Sequence, residues 1–356
     1  MKKINKLLEF INKNENWKEL IQQEPYNIIV KENKDYVLLK YNQIESDFKN
    51  SIVQCCRGII LNKENKIVCF PFYKFFNYGE PQADKIDWET AKVQEKIDGS
   101  LIKVWFDEFW HISTNGTINA YEAQLNEEGK TFGDLFEQVR DKINFDKLNK
   151  DNTYMFELVS PENQVIVYYS ETKLYHIGTR NNITFQEIEE DIGVEKPKLY
   201  NFNNLEDLIE FTKTLTKDQE GFVVVDKNYN RIKVKSPQYL MAHYLMGNMK
   251  FTPKRIIEII KSGEQNEVLT YFPELQEEFN NIEVAMNFFV AQVYMNYATT
   301  INLINKADRK KYVEMCKVLK SFPFLMKLYD NPNINIKLEL LKIPAERILE
   351  VIKREL

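Results

Sequence analysis

Up to about residue 240, apolar residues fall in short runs of β-type, separated by polar turns. "RGIILNKENKIVCFPF" reads as a strand, a turn at Asn62 to Asn65, and a second strand. "SLIKVWFDEFWHIST" repeats that plan with a turn at Asp107 and Glu108, and "EGFVVVDKNYNRIKVKS" repeats it again, turning at Asp226 to Asn230. "TYMFELVS", "QVIVYYS" and "KLYHIGTR" predict three further strands. Between them, "TFGDLFEQVRDKI" and "NLEDLIEFTKTL" have helical spacing, as does the amphipathic opening "MKKINKLLEFINKNENWKEL". After about Leu245 the pattern changes. Thr252-Pro253 is a helix start and Gly263 a stop. Ile282, Ala285, Met286, Phe289 and Val293 then mark one face of a long helix, and "DRKKYVEMCKVLK" and "PAERILEVIKREL" continue in the same manner. The expected fold class is α+β. Residues 1–245 form antiparallel β-sheets with flanking helices, and residues 246–356 form an all-helical domain.

The totals narrow the setting. A chain of 356 residues with 44% hydrophobic and 28% charged residues suits a globular protein with a sizeable core. No apolar run approaches the ~20 residues of a membrane span, so the expectation is a cytoplasmic protein with no membrane partner. Four cysteines and three histidines form no familiar metal spacing and read as reduced structural groups. A net charge of −5 argues against non-specific coating of nucleic acid, but not against a local basic groove.

The candidate chemistry lies at strand positions. The chain lacks the G-x-x-x-x-G-K-[ST] loop, the G-x-G-x-x-G turn and the kinase motifs, so phosphate would have to be held by side chains on strands. Such side chains are present. Arg57 opens the first hairpin and Lys74 follows it in "FPFYKFFNYGE". Lys96 stands in "KIDGS", two residues before Asp98 and three before Gly99. Glu157 sits inside apolar "MFELVS", where an unpaired carboxylate costs several kcal/mol. Glu220 begins "EGFVVV", and Lys233 and Lys235 alternate in "IKVKS", which puts both on one strand face. Each has a plain structural reading alone: Arg-Gly and Glu-Gly make turns, and Lys-x-Lys is a common solvated edge. Their ordered combination is the informative feature.

That combination resembles the covalent nucleotidyltransferases, the ATP-dependent ligases and mRNA capping enzymes, in which Lys-x-Asp-Gly precedes a strand glutamate, a Glu-Gly strand and a Lys-x-Lys strand. The closer resemblance is to the bacteriophage T4 RNA ligase 1 family, through "CRGII", "KFFN", "SPENQVIVYY" and "KSPQYLMAH", over about residues 40–245. It extends more weakly into "KSGEQNEVLTYFPE".

The resemblance implies an adenylyltransferase domain at 1–245 and a helical domain at 246–356, for which two roles stay open: choosing the RNA substrate or supporting the catalytic domain. Lys96 would attack the α-phosphate of ATP and become Lys–AMP. A free lysine is only about 0.04% neutral at pH 7, and bringing its pKa to about 7.5 takes roughly 4 kcal/mol. Neighbouring cations such as Lys233 and Lys235 push in that direction. Glu157 would bind a ribose hydroxyl with Arg57 helping to hold the nucleotide, and Glu220 would bind Mg2+ or Mn2+. Lys233 and Lys235 would hold the α-phosphate, and Lys74 and Tyr239 would lie near the pyrophosphate. Gly99 would let the backbone approach the nucleotide, and Asp98 would orient the loop or a metal-bound water. Asn115, in "STNGT", stands where close relatives commonly carry a lysine or arginine. The implied partner is RNA with 5′-phosphate and 3′-hydroxyl ends, such as a nicked tRNA under repair. Two alternatives stay open: a DNA ligase or capping enzyme, and a nucleotide- or RNA-binding module without catalysis.

Overall fold

The computed structural model describes residues 2–245, 251–304 and 308–353. The chain divides into two compact units, Met1–His243 and Tyr244–Leu356. The boundary expected at 245/246 borders residues 246–250, and the end of "PAERILEVIKREL" falls on residues 354–356; both stretches lie outside the described residues.

The first unit is a set of short strands. They are β1 (Ile28–Glu32), β2 (Tyr36–Tyr41), β3 (Arg57–Asn62), β4 (Ile67–Cys69), β5 (Phe76–Asn77), β6 (Lys92–Glu95) and β7 (Ser100–Asp107). The series continues with β8 (Phe109–Thr114), β9 (Asn152–Val159), β10 (Lys173–Asn181), β11 (Glu187–Ile188), β12 (Leu199–Tyr200), β13 (Gly221–Val225) and β14 (Arg231–Lys235). They form three sheets, in the orders β1-β2-β3-β4, β11-β10-β9-β7-β8 and β12-β6-β13-β14-β5. Pairing is antiparallel except between β14 and β5, which run parallel.

The hairpins close where turn residues permit. Asn65, Glu108 and Tyr229 take positive φ (58°, 61° and 60°), one in each expected turn. The helix Lys2–Lys13 lays Ile4, Leu7 and Ile11 against Leu39, Ile59 and Leu61 of the first sheet. Ile102, Val104, Tyr154, Phe156 and Leu158 form the core of the second sheet, beneath Leu135 and Phe136 of the helix Phe132–Glu137. That helix starts with a capping box between Thr131 and Asp134. All four cysteines are buried and free.

One expected strand is absent. "QVIVYYS" is irregular because the Asp98 carboxylate accepts the N–H groups of Ile166 and Val167 at 2.9 and 2.8 Å, which removes those donors from any ladder.

The second unit is helical. Side-chain capping recurs at Thr252, which accepts the Arg255 N–H, and Gly263 ends that helix (Pro253–Ser262) with φ 72°. The long helix Gln276–Leu303 buries Ile282, Ala285, Met286, Phe289 and Val293. No helix among the described residues is long and apolar enough to cross a membrane.

Candidate active site

Lys96 stands directly after β6, and its N–H donates to the Gly221 carbonyl at 2.8 Å. This backbone bond joins the lysine loop to the start of β13. The preceding residue, Glu220, therefore lies beside the lysine: Lys96 Nζ donates to Glu220 Oε2 at 2.6 Å. Glu220 is nearly fully buried, and its Oε1 lies 3.6 Å from Lys235 Nζ. One carboxylate thus bridges two ammonium groups, a compact arrangement that offsets much of the desolvation each charge would suffer alone.

The glycine of "EGFVV" makes that approach possible. Gly221 has φ 136°, and a Cβ on it would lie 2.3 Å from the Val234 carbonyl oxygen. Gly99 also serves packing: a Cβ there would lie 2.5 Å from the Leu158 carbonyl oxygen, so the glycine admits β9 against the lysine loop. Asp98 is buried and fully engaged, accepting from Ile166 and Val167 through Oδ2 and from the Tyr239 hydroxyl through Oδ1 at 2.7 Å. Of the two roles expected for Asp98, the geometry fits loop orientation. Tyr239 is 2% exposed, and the Nζ of cleft-lining Lys235 lies 5.8 Å from its ring centre.

The loop opens on a cleft of about 500 Å³ whose lining includes Arg57, Lys74, Lys96, Gly99, Asn115, Glu157, Lys233 and Lys235. Period-two alternation on β14 places Arg231 there as well, in line with Lys233 and Lys235. The string "RIKVK" already contained this third cation; its partner, Glu187 on β11, is remote in sequence. The Lys74 ammonium lies 5.0–5.6 Å from the ring centres of Phe48, Tyr41 and Phe76, which hold it by cation–π attraction. Arg57 lies over Phe75 at 5.5 Å. Its Nη1 is buried without a hydrogen-bond partner among the described residues, as is Asn115 Oδ1. Arg231 Nε is a third such atom, and orphaned polar atoms gathered on one cleft wall fit a site whose hydrogen bonds are completed by a ligand.

Glu157, on β9 opposite Leu101 and Tyr175, faces the same cleft. Desolvation pushes its carboxyl up to about 7; Lys96 opposes this and Glu220 adds to it. A carboxyl raised in the folded state lends stability that is full below its ordinary pKa and is lost as pH rises through 7. Glu157→Gln lacks that loss. Compared with the wild type, the variant should gain on the order of 1–3 kcal/mol of unfolding free energy between pH 5 and pH 8.5 in denaturant titrations. Parallel pH dependences for the two proteins would contradict this assignment.

The candidate metal ligand Glu220 is engaged with Lys96 and Lys235. Among the described residues no three His, Cys, Asp or Glu side chains converge as a metal cage. Glu157 faces the cleft and Glu220 lies buried beneath Lys96 and Lys235, a number of carboxylates that fits the way Mg2+ is commonly held, through one or two protein ligands with phosphates and water completing the shell.

A lysine amine with a buried carboxylate beneath it, a second carboxylate and further cations thus surround one opening. The RNA ligase family model matches residues 55–239, a span from just before Arg57 to Tyr239, and the chain belongs to that family. Across 90% of its length it is 28% identical to a protein of Autographa californica nuclear polyhedrosis virus described as a putative bifunctional polynucleotide kinase/RNA ligase, and the match covers 49% of that protein. The chain therefore spans about half the length of this relative. It is also 27% identical to an RNA ligase of Rhodothermus phage RM378, over 70% of this chain and 73% of the phage protein.

Proposed function

We propose that this protein is an ATP-dependent RNA ligase that joins a 5′-phosphate to a 3′-hydroxyl through lysyl-AMP and RNA-adenylate intermediates. The observation that carries the reading is the Lys96–Glu220–Lys235 cluster at the floor of the cleft, in a chain of the RNA ligase family.

In the first step Lys96 Nζ attacks the α-phosphorus of ATP; a P–N bond forms as the P–O bond to pyrophosphate breaks. Glu220 Oε2, already in contact with Nζ, is the acceptor for the proton released. Lys233 and Lys235 hold the α-phosphate and stabilise charge as it develops. Lys74 faces the pyrophosphate, and Glu157 and Arg57 hold the nucleoside end. An RNA 5′-phosphate oxygen then displaces Lys96 and takes the AMP. Finally a 3′-hydroxyl attacks the activated phosphate, and AMP leaves. Mg2+ or Mn2+, held at Glu220 or Glu157, would supply charge neutralisation at the phosphates when bound. Using a covalent carrier divides one difficult activation into two transfers over a single preorganised floor. The helical unit selects the RNA, a nicked tRNA loop being one fitting substrate.

The test is incubation of a 5′-phosphorylated single-stranded RNA with the protein, ATP and Mg2+. Circular or joined product, with an adenylated RNA as the transient species, is expected. Transfer of a guanylate to a diphosphate RNA end would favour a capping activity, and joining restricted to nicked DNA would favour a DNA ligase.

A further inference from the structure

Lys103, in the middle of β7, has no role in the steps above. It is fully buried, flanked along its own strand face by Leu101 and Trp105, and no carboxylate pairs with it among the described residues. Such burial is costly for an ammonium group, and a chain under selection for stability alone would place an apolar residue here. The surroundings sharpen the point. Two of the charged neighbours acting on Lys103 are Arg57 and Lys40, both cations, and the group favouring its charge is the buried Cys69 thiol. Desolvation pushes the amine down to about 8, and those two cations reinforce the shift.

The hydrogen bond that Lys103 makes explains what this burial achieves. Nζ donates to the carbonyl oxygen of Gly58, the residue directly after Arg57. Gly58 has φ 81°, and a Cβ built on it would lie 2.7 Å from the Asn115 carbonyl oxygen, 3.0 Å from Asn115 Oδ1 and 3.0 Å from Lys103 Nζ. Lys103, Gly58 and Asn115 therefore form one tight junction behind the cleft wall. Arg57 and Asn115 both carry, on that wall, a buried polar atom with no hydrogen-bond partner among the described residues. No hydrogen bond among the described residues fixes Arg57 Nη1 itself, so its aim depends on the backbone to which it is attached.

We propose that Lys103 is a positioning residue for nucleotide binding: by holding the Gly58 carbonyl from beneath, it sets Arg57 and Asn115 at the geometry that a nucleotide completes. This rests on the nucleotide-binding reading of the cleft. It separates two properties that usually fall together. An apolar isostere at 103 should leave the fold as stable or more stable, while the binding wall loses its support.

The experiment measures binding of the α,β-methylene analogue of ATP with Mg2+ by calorimetry, alongside thermal unfolding, in the wild type, Lys103→Met and Lys103→Gln. Lys103→Met should keep or raise the unfolding temperature and weaken binding at least tenfold. Lys103→Gln keeps an N–H donor for Gly58 and should lose no more than about threefold. If Lys103→Met fails to fold, the Gln variant decides: near-wild-type binding supports the hydrogen-bond role and a tenfold loss overturns it. Unchanged binding in both variants overturns the proposal, as does equal loss in both, which would make the buried charge rather than the Gly58 hydrogen bond the determinant. Failure of the wild type to bind the analogue would instead reject the nucleotide reading of the cleft, and this proposal with it.

Discussion

Lys96→Ala should abolish covalent transfer of AMP from ATP to the protein, and with it the joining of 5′-phosphorylated RNA. The loss should be complete within detection, because the neighbouring amines are placed for other work. Lys235 is committed to the far oxygen of the same Glu220 carboxylate, and Lys74 lies within a cage of three aromatic rings. The substitution should be mild for the fold. Lys96 lies at the cleft surface, and its removal leaves Glu220 with Lys235 as an ionic partner. The same variant should therefore still seal RNA supplied with an adenylated 5′ end, since that step needs the phosphate-holding cations and not the nucleophile. Radiolabel from α-labelled ATP surviving denaturation, scored beside sealing of pre-adenylated RNA, separates these steps. Persistent label in Lys96→Ala would move the nucleophile elsewhere.

Asp98→Ala should produce the largest loss of stability among the motif residues. The carboxylate is 3% exposed and accepts three hydrogen bonds, from Ile166, Val167 and Tyr239. Removing it leaves those donors without an acceptor in a region closed to water. A charged acceptor contributes about 1.5–3 kcal/mol per bond, and part of that loss is recovered when water enters. A net cost of about 3–5 kcal/mol is expected, a large share of a typical domain's 5–15 kcal/mol. The effect on chemistry should exceed the effect on folding. Asp98 is two residues from Lys96 and is the anchor between the lysine loop, the 166–167 segment and the helix that carries Tyr239. Chemical denaturation gives the first effect, and the rate of lysyl-AMP formation in protein still folded gives the second. Near-wild-type stability in Asp98→Ala would contradict the assigned anchoring role.

Much of this architecture was readable because local rules and the fold agree. Alternating runs gave strands, and the positive-φ turns fell at asparagine, glutamate and tyrosine inside the expected hairpins. The motif order brought Lys96, Glu157, Lys233 and Lys235 to one cleft, with Glu220 against its floor, as residues at adjoining strand ends should be. The one strand misread has a specific cause. "QVIVYYS" has the composition of a strand, but a side chain 68 residues away takes its backbone donors. Long-range contacts of the motif residues were equally hidden: the Tyr239 hydroxyl donates to Asp98, 141 positions earlier, and Gly99, which lines the cleft, also admits the Leu158 carbonyl. Lys103 was passed over because a lysine alternating within a strand reads as a solvated face. Only the packing of Leu38, Ile60 and Cys69 beside Trp105 shows that this face is covered.

Whether Lys96 is the residue that takes up AMP is decided by mapping the modified residue. The protein is incubated with ATP and Mg2+ without RNA, digested, and its peptides sequenced by mass spectrometry. One AMP per chain is expected, attached to Lys96 in the peptide containing "EKIDGS" and removed on incubation with pyrophosphate. AMP on any other lysine, or an unmodified chain that nonetheless joins RNA when ATP is present, would contradict that assignment.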